Sequence, residues 1–93
     1  MIKSFRDRRT AALFQGTLVK GVAPELARSA RRKLERLHQA RVLADLAAFP
    51  GNRLEKLGGD RAGQHSIRVN EQWRICFRWD DGDAHDVWFG DYH

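Results

Sequence analysis

Four arginines, Arg53, Arg68, Arg74 and Arg78, recur through the second half of this 93-residue chain, which closes on Asp91-Tyr92-His93. The guanidinium is a planar fork that matches phosphate oxygens. If these four share one face of a sheet, they repel one another unless an anion lies between them. RNA is such an anion, and its own 2′-hydroxyl can cut it when a base takes the hydroxyl proton, a cation stabilises the phosphorane and an acid protonates the leaving 5′ oxygen. Arg74 is the candidate cation, with Arg68 and Arg78 holding neighbouring phosphates. Glu55, Asp91, Tyr92 and His93 are the available proton-transfer groups. A cationic surface favours ionised carboxylates, which suits Glu55 or Asp91 to the base role and works against a protonated His93 unless Asp91 or the terminal carboxylate compensates. The competing reading pairs these arginines with Glu55, Glu71 or Asp86 in surface ion pairs worth at most about 1 kcal/mol each.

These groups can act together only if the elements that carry them bring them to one surface. Met1 to Phe5 reads as a strand. Arg6 to Gln15 turns helical, with Asp7 as N-cap, Ala11, Leu13 and Phe14 facing inward and Gly16 past the end. Pro24 opens a longer helix to Ala40, in which Leu26, Ala30, Leu34 and Leu37 make one apolar stripe. The opposite face carries Arg28, Arg31, Arg32, Arg36 and, more laterally, Lys33, either as a solvated surface or as a seat for an acidic partner. Val42 to Phe49 adds a further helical turn or two before Pro50-Gly51.

From Asn52 the period changes to two. Arg53 to Leu57 reads as a weak strand ending at Gly58-Gly59-Asp60. Gln64 to Asn70 alternates, with His65, Ile67 and Val69 facing one way and Ser66 and Arg68 the other. Trp73, Ile75, Phe77 and Trp79 then oppose Arg74, Cys76 and Arg78, and Asp80-Asp81-Gly82-Asp83 turns the chain into a last strand, Ala84 to Phe89. Strand, helix, helix and four strands describe an α+β domain, helices on one sheet face and a polar, cationic face opposite. Trp73 and Trp79 belong to the core side, while Trp88 is left open between core packing and stacking on bases. His65 is expected half-buried, His38 and His85 on the surface.

The charge pattern supports two kinds of surface. Residues 1–41 hold 11 basic and 3 acidic side chains, residues 42–79 hold 6 and 4, and residues 80–93 hold 0 and 5, so the net charge of +5 is strongly graded along the chain. Thirteen of the 17 basic residues are Arg, which favours a polyanionic partner, nucleic acid or acidic protein. The chain has the size of one domain, residues 1–93. Its longest unbroken apolar runs are four residues, against the roughly 20 of a bilayer span, and MIKSFRDRRT lacks the apolar middle of a secretory signal. A cytoplasmic protein with no membrane partner is expected. The single cysteine, Cys76, excludes an intrachain disulfide and a Cys-rich zinc site, and no metal or cofactor is expected.

Several runs carry a family resemblance: Pro50-Gly51-Asn52-Arg53-Leu54-Glu55, then Gly59 to Asn70 (GDRAGQHSIRVN), then Gln72-Trp73-Arg74-Ile75-Cys76-Phe77, with Asp91-Tyr92-His93 at the end. The chain resembles the HigB-type toxins of bacterial type II toxin–antitoxin systems, within the RelE/ParE superfamily, along its whole length. The resemblance implies two N-terminal helices packed on one face of a curved, mainly antiparallel sheet of about five strands. It further implies a metal-independent endoribonuclease that cuts messenger RNA on the ribosome and arrests translation. The implied partners are the ribosome, mRNA and a helix-turn-helix, HigA-type antitoxin, with operator DNA reached only through the toxin–antitoxin complex. By position the family's catalytic set falls on Arg74, Asp91, Tyr92 and His93, with Glu55 where some relatives have histidine. Gly58 stands where some relatives carry a lysine, so a replacement cation is expected from Lys56, Arg53 or Arg61. The alternatives are a non-catalytic ParE-like toxin acting on DNA gyrase and an RNA-binding module without cleavage activity.

Overall fold

The computed structural model describes residues 1–91. Helix α1, Arg8–Phe14, begins where the Asp7 carboxylate accepts the Thr10 amide at 2.8 Å, and Gly16, at φ +82°, lets the chain turn away after it. Helix α2, Pro24–Gln39, starts on proline and buries Ala30, Leu34 and Leu37, the stripe expected from the spacing. Glu25 in its first turn and Arg36 in its last are placed to favour the helix dipole. Helix α3, Leu43–Ala47, is short, and the Asp45 carboxylate accepts from the Arg41 and Val42 amides at its start.

Four antiparallel strands follow in sheet order: β1 (Glu55–Lys56), β2 (Gln64–Arg68), β3 (Arg74–Asp80) and β4 (Asp83–Gly90). Asp81 and Gly82, at φ +51° and +79°, make the two-residue β3–β4 turn whose twist matches the flanking strands. The expected N-terminal strand takes a different form. Ile2 and Phe5 make isolated parallel bridges to Ala84 and Val87 on the outer edge of β4, rather than a continuous ladder. Helix α1 covers the next stretch of that edge: Thr10 Oγ1 accepts the Phe89 amide at 3.0 Å, and the Arg9 guanidinium donates to the Phe89 carbonyl at 2.6 Å. Side chains thereby satisfy the edge groups that would otherwise offer a template for another strand.

The core lies between the helices and one sheet face, with Leu13, Leu34 and Leu37 against Ile67, Ile75, Phe77, Val87 and Phe89. Trp73 stacks on Phe89 at 4.8 Å and Trp79 meets Phe77 edge-on at 6.1 Å, so both belong to this layer as expected. His65, half-buried, stacks on Phe77. His38 departs from its expected surface position: it is half-buried, its Nδ1 accepts the Ile2 amide at 3.1 Å and its ring lies against Phe14. Lys33 likewise leaves the solvated face of α2 to donate to the buried Asn52 side chain, which in turn donates to the Leu46 carbonyl at 3.1 Å. That bridge ties α2 to the segment leading into β1. Among the described residues no helix is long and apolar enough to cross a membrane.

Candidate nucleic-acid interface

Strand pairing decides which side chains share the face away from the helices. Glu55, Ser66, Cys76 and Trp88 form one row across β1 to β4, and Arg68, Arg74 and Gly90 form the next. These rows alternate with buried Ile67, Ile75 and Phe89, so Arg68 and Arg74 stand side by side on the helix-free face. Arg78 shares that face with Gln64 and His85. A bulge between Cys76 and Arg78 shifts the pairing, and Asp86 on the facing strand adopts φ +53°. The shift lets both Ala84 and Val87 point into the core and leaves Asp86 exposed, 3.5 Å from Arg78.

Two of the arginines have acidic neighbours, Arg78 with Asp86 and Arg68 with Glu71 at 4.0 Å, as the ion-pair reading anticipated. Arg74 differs. Its guanidinium donates to the Asn70 carbonyl at 3.3 Å, and among the described residues no carboxylate lies within ion-pair distance of it. Asn70 also shapes the β2–β3 turn, its side-chain oxygen accepting the Gln72 and Trp73 amides at 2.8 Å each. Gln72 then donates to the Asp91 carboxylate at 3.0 Å. One turn thus holds both Arg74 and Asp91 at the same end of the sheet. Tyr92 and His93, expected to complete the set, lie outside the described residues.

The remaining expectations divide. Glu55 lies on the helix-free face, exposed on the edge strand. Arg53 is not in a strand: β1 is only two residues long, and Arg53 sits in the left-handed region at φ +43° where the 3-10 turn Pro50–Asn52 ends. Strand alternation therefore does not align it with the other arginines. Lys56 is exposed and pairs with His65, which places it on the helix side of the sheet, away from Arg74. Of the three replacement cations considered, only Arg61 reaches the face in question. It ends a 3-10 turn, Gly59–Arg61, and its guanidinium lies 4.6 Å from the centre of the Trp88 ring.

The spacing did not reveal that Arg6, from the N-terminal segment, approaches the same ring at 5.4 Å. Arg6 lies far from the strand arginines in sequence, in the stretch Arg6 to Gln15 whose pattern predicts a helix, and α1 itself begins only at Arg8. The Trp88 ring extends over Gly90, where a Cβ would fall 2.0 Å from ring atom Cζ2, so glycine is what allows the ring to lie flat along the sheet toward the Arg74 row. Cys76, fully buried at the centre of this face, shows how the charges converge: burial pushes its thiol up to about 11, against the downward pull of Arg61, Arg6 and Arg74. The result is a sheet surface with a central aromatic ring, several converging guanidiniums and a carboxylate at one end, suited to a phosphodiester chain.

Comparison with known proteins gives this surface a context. The fold is similar to the toxin–antitoxin structures "YoeB-YefM complex from Staphylococcus aureus" (TM-score 0.63, 14% identity) and a second heterotetrameric YoeB-YefM complex from that organism (TM-score 0.63, 15% identity). Each match covers 100% of this chain and 98% of the other, and at that identity it speaks for the fold alone. A family model described as the RelE-like toxin of type II toxin-antitoxin system HigB matches residues 3–93, and the chain belongs to that HigB-like toxin family. It is similar to "Endoribonuclease HigB" of Proteus vulgaris, 34% identical over 97 residues and 100% of both chains. It is also 53% identical over 53 residues to "Toxin HigB-1" of Vibrio cholerae serotype O1, a match that spans 57% of this chain and 56% of that protein.

Proposed function

We propose that this toxin is an endoribonuclease that cuts messenger RNA on the ribosome with its helix-free sheet face. The observation that carries the reading is Arg74: it stands on the face opposite the helices, beside Arg68, held by the Asn70 carbonyl and without a neighbouring carboxylate among the described residues. A guanidinium so placed is open to a phosphate. The whole-length relative named as an endoribonuclease supports the same activity.

In the reaction as we propose it, a carboxylate, Asp91 or Glu55, takes the proton of the RNA 2′-hydroxyl. The freed oxygen attacks the adjacent phosphorus, and Arg74 binds the charge that accumulates on the non-bridging oxygens. The 5′ oxygen leaves with a proton from His93 or Tyr92, giving a 2′,3′-cyclic phosphate and a 5′-hydroxyl end. The chain's own groups fill every role, and no metal enters. Orientation of the strand by the ribosome supplies several further kcal/mol, which makes a modest proton-transfer set sufficient. Work on the ribosome places the protein in the cytoplasm.

The antitoxin in this reading is a helix-turn-helix protein of the HigA type, and operator DNA is bound through the complex. Its contact includes the basic face of α2, where exposed Arg28, Arg31 and Arg32 line a groove that suits an acidic segment. The solved neighbours are complexes of a toxin with its antitoxin, which supports an antitoxin partner without specifying its fold or contact.

The test is a cell-free translation reaction with wild type, Arg74→Ala and a variant lacking residues 91–93, followed by mapping of mRNA 5′ ends. New ends from wild type alone are expected. Intact mRNA together with arrested DNA supercoiling would instead indicate a gyrase-directed toxin, and intact mRNA with bound RNA a non-cleaving module.

A further inference from the structure

The connection from β2 to β3 touches three charged groups of the helix-free face, each through a different residue. The Asn70 carbonyl accepts from Arg74 at 3.3 Å, Glu71 lies 4.0 Å from Arg68, and the Gln72 side-chain amide donates to the Asp91 carboxylate at 3.0 Å. The connection is itself braced. Asn70 Oδ1 accepts the Gln72 and Trp73 amides at 2.8 Å each, and the Val69 and Asn70 amides donate to the Trp73 carbonyl at 3.0 and 3.3 Å. The Trp73 ring stacks on Phe89, two residues before Asp91, with the ring planes 7° apart. The Arg9 guanidinium lies 5.9 Å from the centre of the Trp73 ring while it donates to the Phe89 carbonyl. The backbone of the turn and the end of β4 are therefore fixed relative to one another, and what remains adjustable is the side chains they carry.

Among those side chains the pair Gln72 and Asp91 differs in being wholly exposed. A hydrogen bond between two exposed side chains adds little to folding, because both groups find water as a partner in the unfolded chain and Gln gives up rotamer freedom to make it. What it fixes is the direction of a carboxylate. Asp91 directly follows Gly90, the residue paired with Arg74, and Arg74 has no carboxylate within ion-pair distance among the described residues. Carboxylate and cation thus stand at one end of the face without quenching each other. Glu55, the other carboxylate considered for the base, is exposed on the two-residue strand β1, two strands away from Arg74.

We propose that Gln72 is a positioning residue for RNA cleavage: its side-chain amide aims the Asp91 carboxylate from the turn that also holds Arg74, so that base and cation address one phosphodiester. The assignment rests on the RNA-cleaving reading of this face and deepens it, since it selects Asp91 over Glu55 for the proton of the 2′-hydroxyl. Gln72 touches neither the phosphate nor the reacting hydroxyl and acts through Asp91 alone. A misdirected base leaves the bound strand where it was and lowers the fraction of encounters that react. Loss of Gln72 therefore acts on kcat, with KM retained.

The experiment follows the rate at which new mRNA 5′ ends form in the translation reaction against the concentration of ribosomes programmed with mRNA, and so separates kcat from KM. Gln72→Met, which keeps the length of the side chain and removes the donor, is expected to lower kcat about tenfold, the order of one hydrogen bond to a charged group, with KM unchanged. Its urea midpoint should stay at that of wild type, because the position is exposed. Gln72→Lys, which keeps a donor of similar reach, should restore most of kcat, whereas Gln72→Glu, which sets a second carboxylate against Asp91, should restore none. In an Asp91→Ala background Gln72→Met should cost nothing further, and in a Glu55→Gln background its full loss should remain. A wild-type kcat in Gln72→Met, or the same loss with and without the Asp91 carboxylate, overturns the positioning role and leaves the RNA-cleaving reading standing. So does a loss absorbed by Glu55→Gln. Absence of new mRNA ends in wild type overturns that reading itself. If Asp91→Ala leaves no measurable cleavage, the contrast between Gln72→Met and Gln72→Lys decides the outcome.

Discussion

Thr10→Val is the most informative single substitution for how this chain holds its functional edge. Thr10 is fully buried, and its hydroxyl accepts the Phe89 amide at 3.0 Å where β4 runs past α1. Valine has nearly the same shape and a similar helix propensity, so the change removes the acceptor and little else. The Phe89 amide is then buried without a partner, a loss of about 1 to 3 kcal/mol. The N-cap is untouched, because Asp7 accepts from the Thr10 backbone amide rather than its side chain. A chain of this length unfolds in urea with a slope of about 1 to 2 kcal/mol per M, so a 2 kcal/mol loss moves the midpoint down by about 1 to 2 M. In heat it lowers Tm by roughly 8 to 16 °C. Thr10→Ser keeps the hydroxyl, gives up one methyl group and should fall by only about 1 kcal/mol. Cleavage should weaken in step with amide exchange at Phe89, because this hydrogen bond fixes the stretch of β4 that leads directly to Asp91. Urea titrations in which Thr10→Val matches wild type while Thr10→Ser is the weaker protein would refute the reasoning.

Three further outcomes follow from other parts of the molecule. Gly90→Ala places a Cβ within 2.0 Å of the Trp88 ring, so the ring must move and stability should drop by about 1 to 3 kcal/mol, seen as a lower urea midpoint and altered tryptophan emission. His65 is held below its ordinary value of 6.5 by burial first and by Lys56 second; its Nδ1, among the described residues, meets no hydrogen-bond partner. The unfolded chain therefore takes the proton first on acidification. The stability tied to neutral His65 is whole above about pH 6.5 and is lost as pH falls through the lowered folded value, and His65→Gln should flatten that part of the stability profile. An unchanged acid slope would contradict this. Cys76, buried and pushed up to about 11, should resist iodoacetamide at pH 8 in the folded protein and react at the rate of a simple thiol in denaturant. Equal rates in both states would mean that the helix-free face opens readily.

The sequence alone was enough to place the elements whose signal is local. The stripe of Ala30, Leu34 and Leu37, the Asp7 cap, the Asp81-Gly82 turn and the alternation of Ile75 and Phe77 against Arg74 and Arg78 each depend on a repeat or turn chemistry carried within one segment. With the alternation of Ser66 and Arg68 against Ile67, the last of these was sufficient to set Arg68, Arg74 and Arg78 on one face, whereas Trp88 joined them through the pairing of β3 with β4. Tertiary structure decided the rest, because it concerns where separate segments meet. Arg53 left the face when a 3-10 turn shortened β1, and Lys56 fell on the other side by one residue of register. His38 went inside to accept an amide from the chain start. Arg6 and Arg61, 55 positions apart, came together only because two loops converge on one indole. A side chain's periodicity fixes its side of its own strand or helix, whereas a meeting between loops depends on the closure of the whole chain, which no local pattern encodes.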